Sequence, residues 1–170
     1  MFHVDSATGE LEEGFLNTRV WVMTSDFYAG LRRRLFEVFK DGTGVMLYQM
    51  GAGYGELMGK RISEMGSSKL SVYRSFISVG NKQGYGRFDV PLLKTIISRT
   101  RGEAIIRLKN SFFGSSAGKT GQTECFLVAG MIAGAAEAIQ KKTFSCVEEK
   151  CVSKGDEYCE FRLKESTSTQ

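Results

Sequence analysis

Hydrophobic spacing along the chain changes character near residue 70. Residues 1–18 carry little periodicity and lead into "TRVWVMTS" (18–25), where alternating β-branched and aromatic residues predict a strand. "SDFYAGLRRRLFEVFKDG" places Phe27, Leu31, Leu35, Val38 and Phe39 at helical spacing, with Ser25 as the expected N-cap and Gly42 just past the end. "TGVMLYQMGAGYGELMGKRISEM" continues as a second helix. Beyond Leu70, "LSVYRSFISVG", "QGYGRFDVPLL" and "GEAIIRLKNSFFG" read as short strands separated by turn residues, with "PLLKTIISRT" as a short helical turn between them. "SSAGKTGQTE" is a loop, "ECFLVAGMIAGAAEAIQKK" a helix with Lys141 and Lys142 suited to its C-terminal dipole, and "FSCVEEKC–VSKGDEY–CEFRLK" a closing hairpin. "ESTSTQ" (165–170) reads as a disordered tail. Helices, antiparallel strands, a helix and a hairpin in that order give an α+β fold in one domain.

The glycines at 51, 53, 55 and 59 sit awkwardly in the second helix, where each costs close to ~1 kcal/mol relative to alanine. They make sense if another backbone or a ligand approaches that face. "MGAGYGELMG" is not a dinucleotide fingerprint, because Glu56 stands where the third glycine belongs and would repel a pyrophosphate. "GSSAGKT" (114–120) is one residue short of a phosphate-binding loop.

Composition narrows the function classes. A chain of 170 residues can enclose a core without staples, and a net charge of +4 spread thinly does not make a nucleic-acid surface. No apolar run is long enough to span a bilayer and no signal peptide is visible, so a cytoplasmic protein with reduced cysteines is expected. The single histidine, His3, leaves neither a Ser-His-Asp triad nor a Cys-His pair, and no catalytic residue is assigned.

Four cysteines remain. Cys151 and Cys159 flank a turn containing Lys154, Gly155 and Asp156, and could face each other across the hairpin. Glu148 lies three residues before Cys151, and Cys125 could add a fourth ligand at the start of the preceding helix. No C-x-x-C pair supports redox chemistry. Spacing alone leaves open whether these are metal ligands or buried thiols that fill the core.

"LYQMGAGYGELMGKRI" followed by "VEEKCVSKGDEYCEF" resembles the V4R, or 4-vinyl reductase, domain family over residues 15–164, with 1–14 as a lead-in. The resemblance implies helices packed on a small antiparallel sheet, a fold shared with transport-particle subunits, around a small-molecule pocket. In aromatic-responsive activators of the family a zinc is held by Cys, Glu, Cys and Cys; that spacing falls on Cys125, Glu148, Cys151 and Cys159. A site with four protein ligands is closed, so the implied zinc is structural. Cys146 is left over, on the same side of its strand as Glu148.

The implied function is a sensor or ligand-binding domain for a small hydrophobic or aromatic molecule, signalling through a partner or a dimer. Tyr73, Phe76, Phe88, Ile106, Leu108, Phe112, Ala129, Ile132, Ala133 and Cys146 are the candidate pocket residues, although such side chains equally describe a packed core. The alternative, from the family's older name, is a reductase or accessory subunit acting on a vinyl-tetrapyrrole. The residues themselves do not decide between monomer and homodimer.

Overall fold

The computed structural model describes residues 2–15, 17–66, 68–90 and 103–166. The expected turn over "PLLKTIISRT" and the last four residues of the expected tail lie outside these. The first three strands, β1 (Phe2–Val4), β2 (Leu11–Glu13) and β3 (Thr18–Val20), pair antiparallel in a small meander. The lead-in, which shows little periodicity in the sequence, is therefore partly sheet. Three residues per strand are too few to show a hydrophobic period. The strand expected over 18–25 stops at Val20.

Helix α1 (Ser25–Phe39) forms as predicted, one residue off at its cap. Thr24, not Ser25, is the N-cap, and its Oγ1 accepts from the Phe27 N–H at 3.2 Å. The apolar stripe of α1 does not face the core. Tyr28 is buried, whereas Phe27, Leu31, Val38 and Phe39 are exposed.

Helix α2 (Gly42–Met65) lies along a later helix, α5 (Phe126–Gln140), and here the glycines find their reason. A Cβ on Gly51 would fall 2.0 Å from the Leu127 carbonyl oxygen, and one on Gly55 2.1 Å from that of Met131. From the other side, Gly130 and Gly134 meet the carbonyls of Tyr48 and Ala52 at 1.9 and 2.0 Å. The two backbones approach so closely that neither helix has room for a methyl group. Gly53 is the exception, with open space at its Cβ position.

Residues 69–82 overturn the strand expected there and form helix α3 (Lys69–Lys82). A capping box starts it: Ser68 Oγ accepts from Ser71 N–H at 3.2 Å and Ser71 Oγ accepts from Ser68 N–H at 3.1 Å. Val72, Tyr73, Phe76 and Val79 then share one face at helical spacing. Their β-branched and aromatic character suggested a strand, but the cap and the 3.6-residue period decide. A similar correction applies to "NSFFG": Ser111 caps a short helix α4 (Phe112–Ala117), which takes in the first residues of the expected loop.

The main sheet contains β4 (Arg87–Asp89), β5 (Glu103–Lys109), β6 (Phe144–Lys150) and β7 (Cys159–Glu165), all antiparallel in the order β4-β5-β7-β6. Its inner face places Ile106, Leu108, Phe144, Cys146, Phe161 and Leu163 beneath the helices. The outer face carries ion pairs, among them Arg162 to Glu149 at 2.6 Å and Arg107 to Glu160 at 2.8 Å. The α+β fold of helices on a small antiparallel sheet is thus present. Among the described residues no helix is long and apolar enough to cross a membrane.

Candidate metal centre and apolar cavity

Three separate pieces of backbone bring four ligands together. Cys125 occupies the N-cap position of α5, Glu148 lies on β6, and Cys151 and Cys159 flank the hairpin turn. Glu148 and Cys151 are three residues apart, and in a regular strand an odd separation sends side chains to opposite faces. The pairing of β6 with β7 slips between Glu148 and Lys150, leaving Glu149 as the extra residue of a bulge. That bulge resets the alternation, so that Glu148 and Cys151 meet on one side. Gly155, at φ +102°, and a 2.9 Å bond from Cys151 N–H to Asp156 Oδ2 shape the turn that returns the chain to Cys159.

The sulfur atoms of Cys125, Cys151 and Cys159 lie 3.6, 3.7 and 3.9 Å apart pair by pair, and all three residues are fully buried. These separations are too long for a disulfide, which needs about 2.05 Å. They match the edges of a tetrahedron around an ion bound to sulfur at about 2.3 Å, which are about 3.8 Å long. One ligand atom from each of the four residues falls within 4.8 Å of all the others. Glu148 Oε2 accepts from the Cys125 N–H at 2.7 Å, while its Oε1 is buried with no hydrogen-bond partner. An acceptor left in that state is costly unless a cation takes it. The residues present therefore fit a metal ion.

Electrostatics agree. Burial, reinforced by the neighbouring Cys151 sulfur, pushes the Glu148 carboxyl up to about 8. Hydrogen bonds from Cys125 and Cys159 hold the Cys151 thiol far below its ordinary range, and the bond to Cys151 raises Cys125 correspondingly. Without a cation the cluster compensates its charge with protons, which a metal would displace.

Neighbours of the cluster that the sequence reading missed are small. Ser111 Oγ lies 3.3 Å from Cys125 Sγ, and Ser153 Oγ 2.8 Å from Cys151 Sγ. A Cβ on Gly114 would stand 3.3 and 3.4 Å from the sulfurs of Cys125 and Cys151, so this glycine leaves room for the sulfurs. Serine and glycine are too common for their positions to announce such roles. Cys146 is buried but outside the cluster; its N–H donates to Tyr48 Oη at 3.2 Å.

The second feature is an apolar cavity of about 40 Å³ between α3, α5 and the sheet. Tyr73, Phe76, Phe88, Ile106 and Ile132 line it, with Ile77, Val90, Ala135 and Leu163. Leu108, Ala129, Ala133 and Cys146, also considered for a pocket, are buried elsewhere in the core, and Phe112 packs against Tyr28 and Phe113. Ile132 is seven residues along α5 from Cys125, about 10 Å at 1.5 Å per residue, so cavity and cluster share a helix but not a wall.

Residues 104–165, which include all four cluster residues, match the model of the V4R domain. That match covers the sheet strands β5 to β7, α4 and α5, a little over a third of the chain. An uncharacterized protein of Methanocaldococcus jannaschii is 29% identical over 129 residues, 75% of this chain and 69% of that protein. Among solved structures, the phenol-responsive sensory domain of the transcription activator PoxR, determined with phenol, superposes with a TM-score of 0.80 at 17% identity. The match covers 96% of this chain and 84% of that one. A vinyl-4-reductase family protein from Methanocaldococcus jannaschii gives a TM-score of 0.63 at 20% identity, covering 87% and 85%. Subunit 3 of a trafficking protein particle complex from Naegleria fowleri, covalently bound to palmitic acid, gives 0.59 at 17%, covering 84% and 93%. At these identities the structures share a fold with this chain.

Proposed function

We propose that this chain is a V4R-family sensor or ligand-binding domain for a small hydrophobic or aromatic molecule, held together by a structural zinc ion. The observation that carries the reading is the division of labour along α5. One end joins a closed four-ligand cluster, and the middle walls a separate apolar cavity. Zinc suits three thiolates and a carboxylate in a tetrahedron, and four protein ligands leave no position for a substrate. Bound there, it ties the hairpin to the start of α5.

The cavity supports the ligand half of the proposal through its lining, and its size sets a condition. About 40 Å³ holds a water-sized probe, whereas apolar cavities that take benzene measure roughly 150 Å³. A ring-sized ligand must therefore displace part of the wall, where Phe76 and Ile77 on α3 and Val90 are half-buried rather than enclosed. The fold shared with a phenol-responsive sensory domain favours the same reading.

Output through a second copy is supported by the outer faces of α1 and α2. Phe27, Leu31 and Val38 on one, and Met46, Met50 and Leu57 on the other, are exposed at helical spacing. Sedimentation should detect a dimer that Leu57→Glu dissociates; a monomer at all concentrations removes this part of the proposal.

Metal analysis of protein purified without chelator should find about one zinc per chain. A zinc content of zero with four titratable thiols would overturn the metal half. Isothermal titration with phenol and toluene should show saturable binding that Ile132→Trp abolishes by filling the cavity. Turnover of a vinyl-tetrapyrrole with reduced nicotinamide would instead establish the reductase reading that a related fold's name carries.

A further inference from the structure

Two buried side-chain atoms among the described residues have no hydrogen-bond partner: Glu148 Oε1 and Tyr28 Oη. The first is explained if it ligates the metal. The second is not, and its position is informative. Tyr28 is 2% exposed, the one buried residue of α1. Its ring packs edge-to-face on Phe113 at 5.0 Å, and Phe113 precedes Gly114, whose Cβ position abuts the sulfurs of Cys125 and Cys151. One turn further along α1, Arg32 donates to the buried Glu124 at 3.0 Å, and Glu124 is joined directly to Cys125. The Tyr28 ring therefore packs on the segment that walls the cluster. Cys125, Glu124 and Glu148 all act electrostatically on its hydroxyl, and burial raises that hydroxyl well above the usual phenol range. It remains a protonated donor there.

A phenol packed this tightly without an acceptor is unfavourable, and phenylalanine would fill the same space at no such cost. The hydroxyl makes sense if an acceptor forms when the cluster is loaded. Thiolates bound to a metal are such acceptors, and Cys125, adjoining the Glu124 that Arg32 of α1 holds, is the ligand whose segment α1 contacts. Resting on the metal reading above, we infer that Tyr28 is a positioning residue of the metal centre, its hydroxyl donating to the Cys125 thiolate, directly or through one water, once the metal is bound. Ser111 Oγ, at 3.3 Å, is the other donor to that sulfur. The inference also gives α1 a connection to the cluster that its exposed apolar stripe does not explain.

The effects of Tyr28→Phe should then diverge between the two states. Competition with a chromophoric chelator should show zinc affinity weakened by roughly tenfold or more, in the range found when outer-shell partners of metal ligands are removed. The metal-free variant should melt no lower than the metal-free parent, since only an unpartnered hydroxyl has gone. Tyr73→Phe is the control: its hydroxyl already accepts from Gln140 Nε2 at 3.2 Å and lines the other cavity, so zinc affinity should not change. In the unmodified chain, zinc binding should also produce a tyrosine difference band in the near ultraviolet that Tyr28→Phe removes. Equal zinc affinity for parent and Tyr28→Phe, or an unchanged difference band, would overturn the role of Tyr28 while leaving the metal site standing. Absence of zinc binding by the parent would overturn the metal reading itself.

Discussion

Helix α5 is held at two places by opposite means. At its N-cap, three sulfurs and a carboxylate from distant segments converge on one point. Along its length, it is held by what its residues lack: Gly130 and Gly134 interleave with Gly51 and Gly55 of α2, so that backbone meets backbone. The first attachment depends on chemistry and has a removable part, the metal. The second depends only on shape. A substitution at the glycine contact cannot be relieved by rotating a side chain, whereas one at the cluster can be mimicked by removing the ion.

The largest effect should therefore come from the glycines. In Gly130→Ala the new methyl carbon would sit 1.9 Å from the Tyr48 carbonyl oxygen, deep inside van der Waals contact with backbone. The helices would have to separate, and a loss on the order of 5 kcal/mol approaches the whole stability of an ordinary domain. Denaturant melts, or recovery of soluble protein, measure this, and a variant within about 1 kcal/mol of the parent would show that the two helices can part without cost.

Next comes the cluster. Cys159→Ser and chelation of the parent should converge on one stability, because both remove the same bound state. With free zinc at a thousand times Kd the difference from the loaded parent is about 4 kcal/mol. Chelator should then leave Cys159→Ser unchanged. A further drop on adding chelator to that variant would mean that metal binds without the Cys159 sulfur. Cys146→Ser should cost much less, about 1 kcal/mol, and should retain its chelator response, since Cys146 lies outside the four-ligand group.

The two attachments also differ in how far they could be read in advance. Spacing made Cys125, Glu148, Cys151 and Cys159 candidates without deciding between metal ligands and buried thiols, and it was the resemblance to V4R domains that implied a metal set. What spacing could not show was the bulge at Glu149 that turns an odd separation into a shared face. The glycines of α2 announced a close approach but not its partner. α5 supplied the answer, because its own Gly130 and Gly134 fall on the complementary face. The misreadings have one physical source. In α3, β-branched and aromatic residues fit a pleated strand as well as a helix, until the Ser68–Ser71 capping box is recognised. In α1, periodicity identified the helix correctly but not the side that turns inward, because an apolar stripe can face solvent or a partner as readily as a core.

Gly53 gives the smallest effect and the clearest separation of shape from propensity. It lies two residues from both Gly51 and Gly55, yet its Cβ direction points into open space on the exposed side of α2, between Met50 and Leu57. Alanine there meets nothing and restricts the unfolded chain. Gly53→Ala should therefore stabilise the monomer by roughly 0.4–1 kcal/mol, the reverse of what the same substitution does two residues away on either side. The measurement is a denaturant melt at low protein concentration, followed by sedimentation at high concentration. A gain in stability with unchanged sedimentation would mean that Gly53 is simply a weak point of the helix. A gain accompanied by loss of a dimer would mean that a second backbone needs the space above Gly53, as α5 needs the space above Gly51.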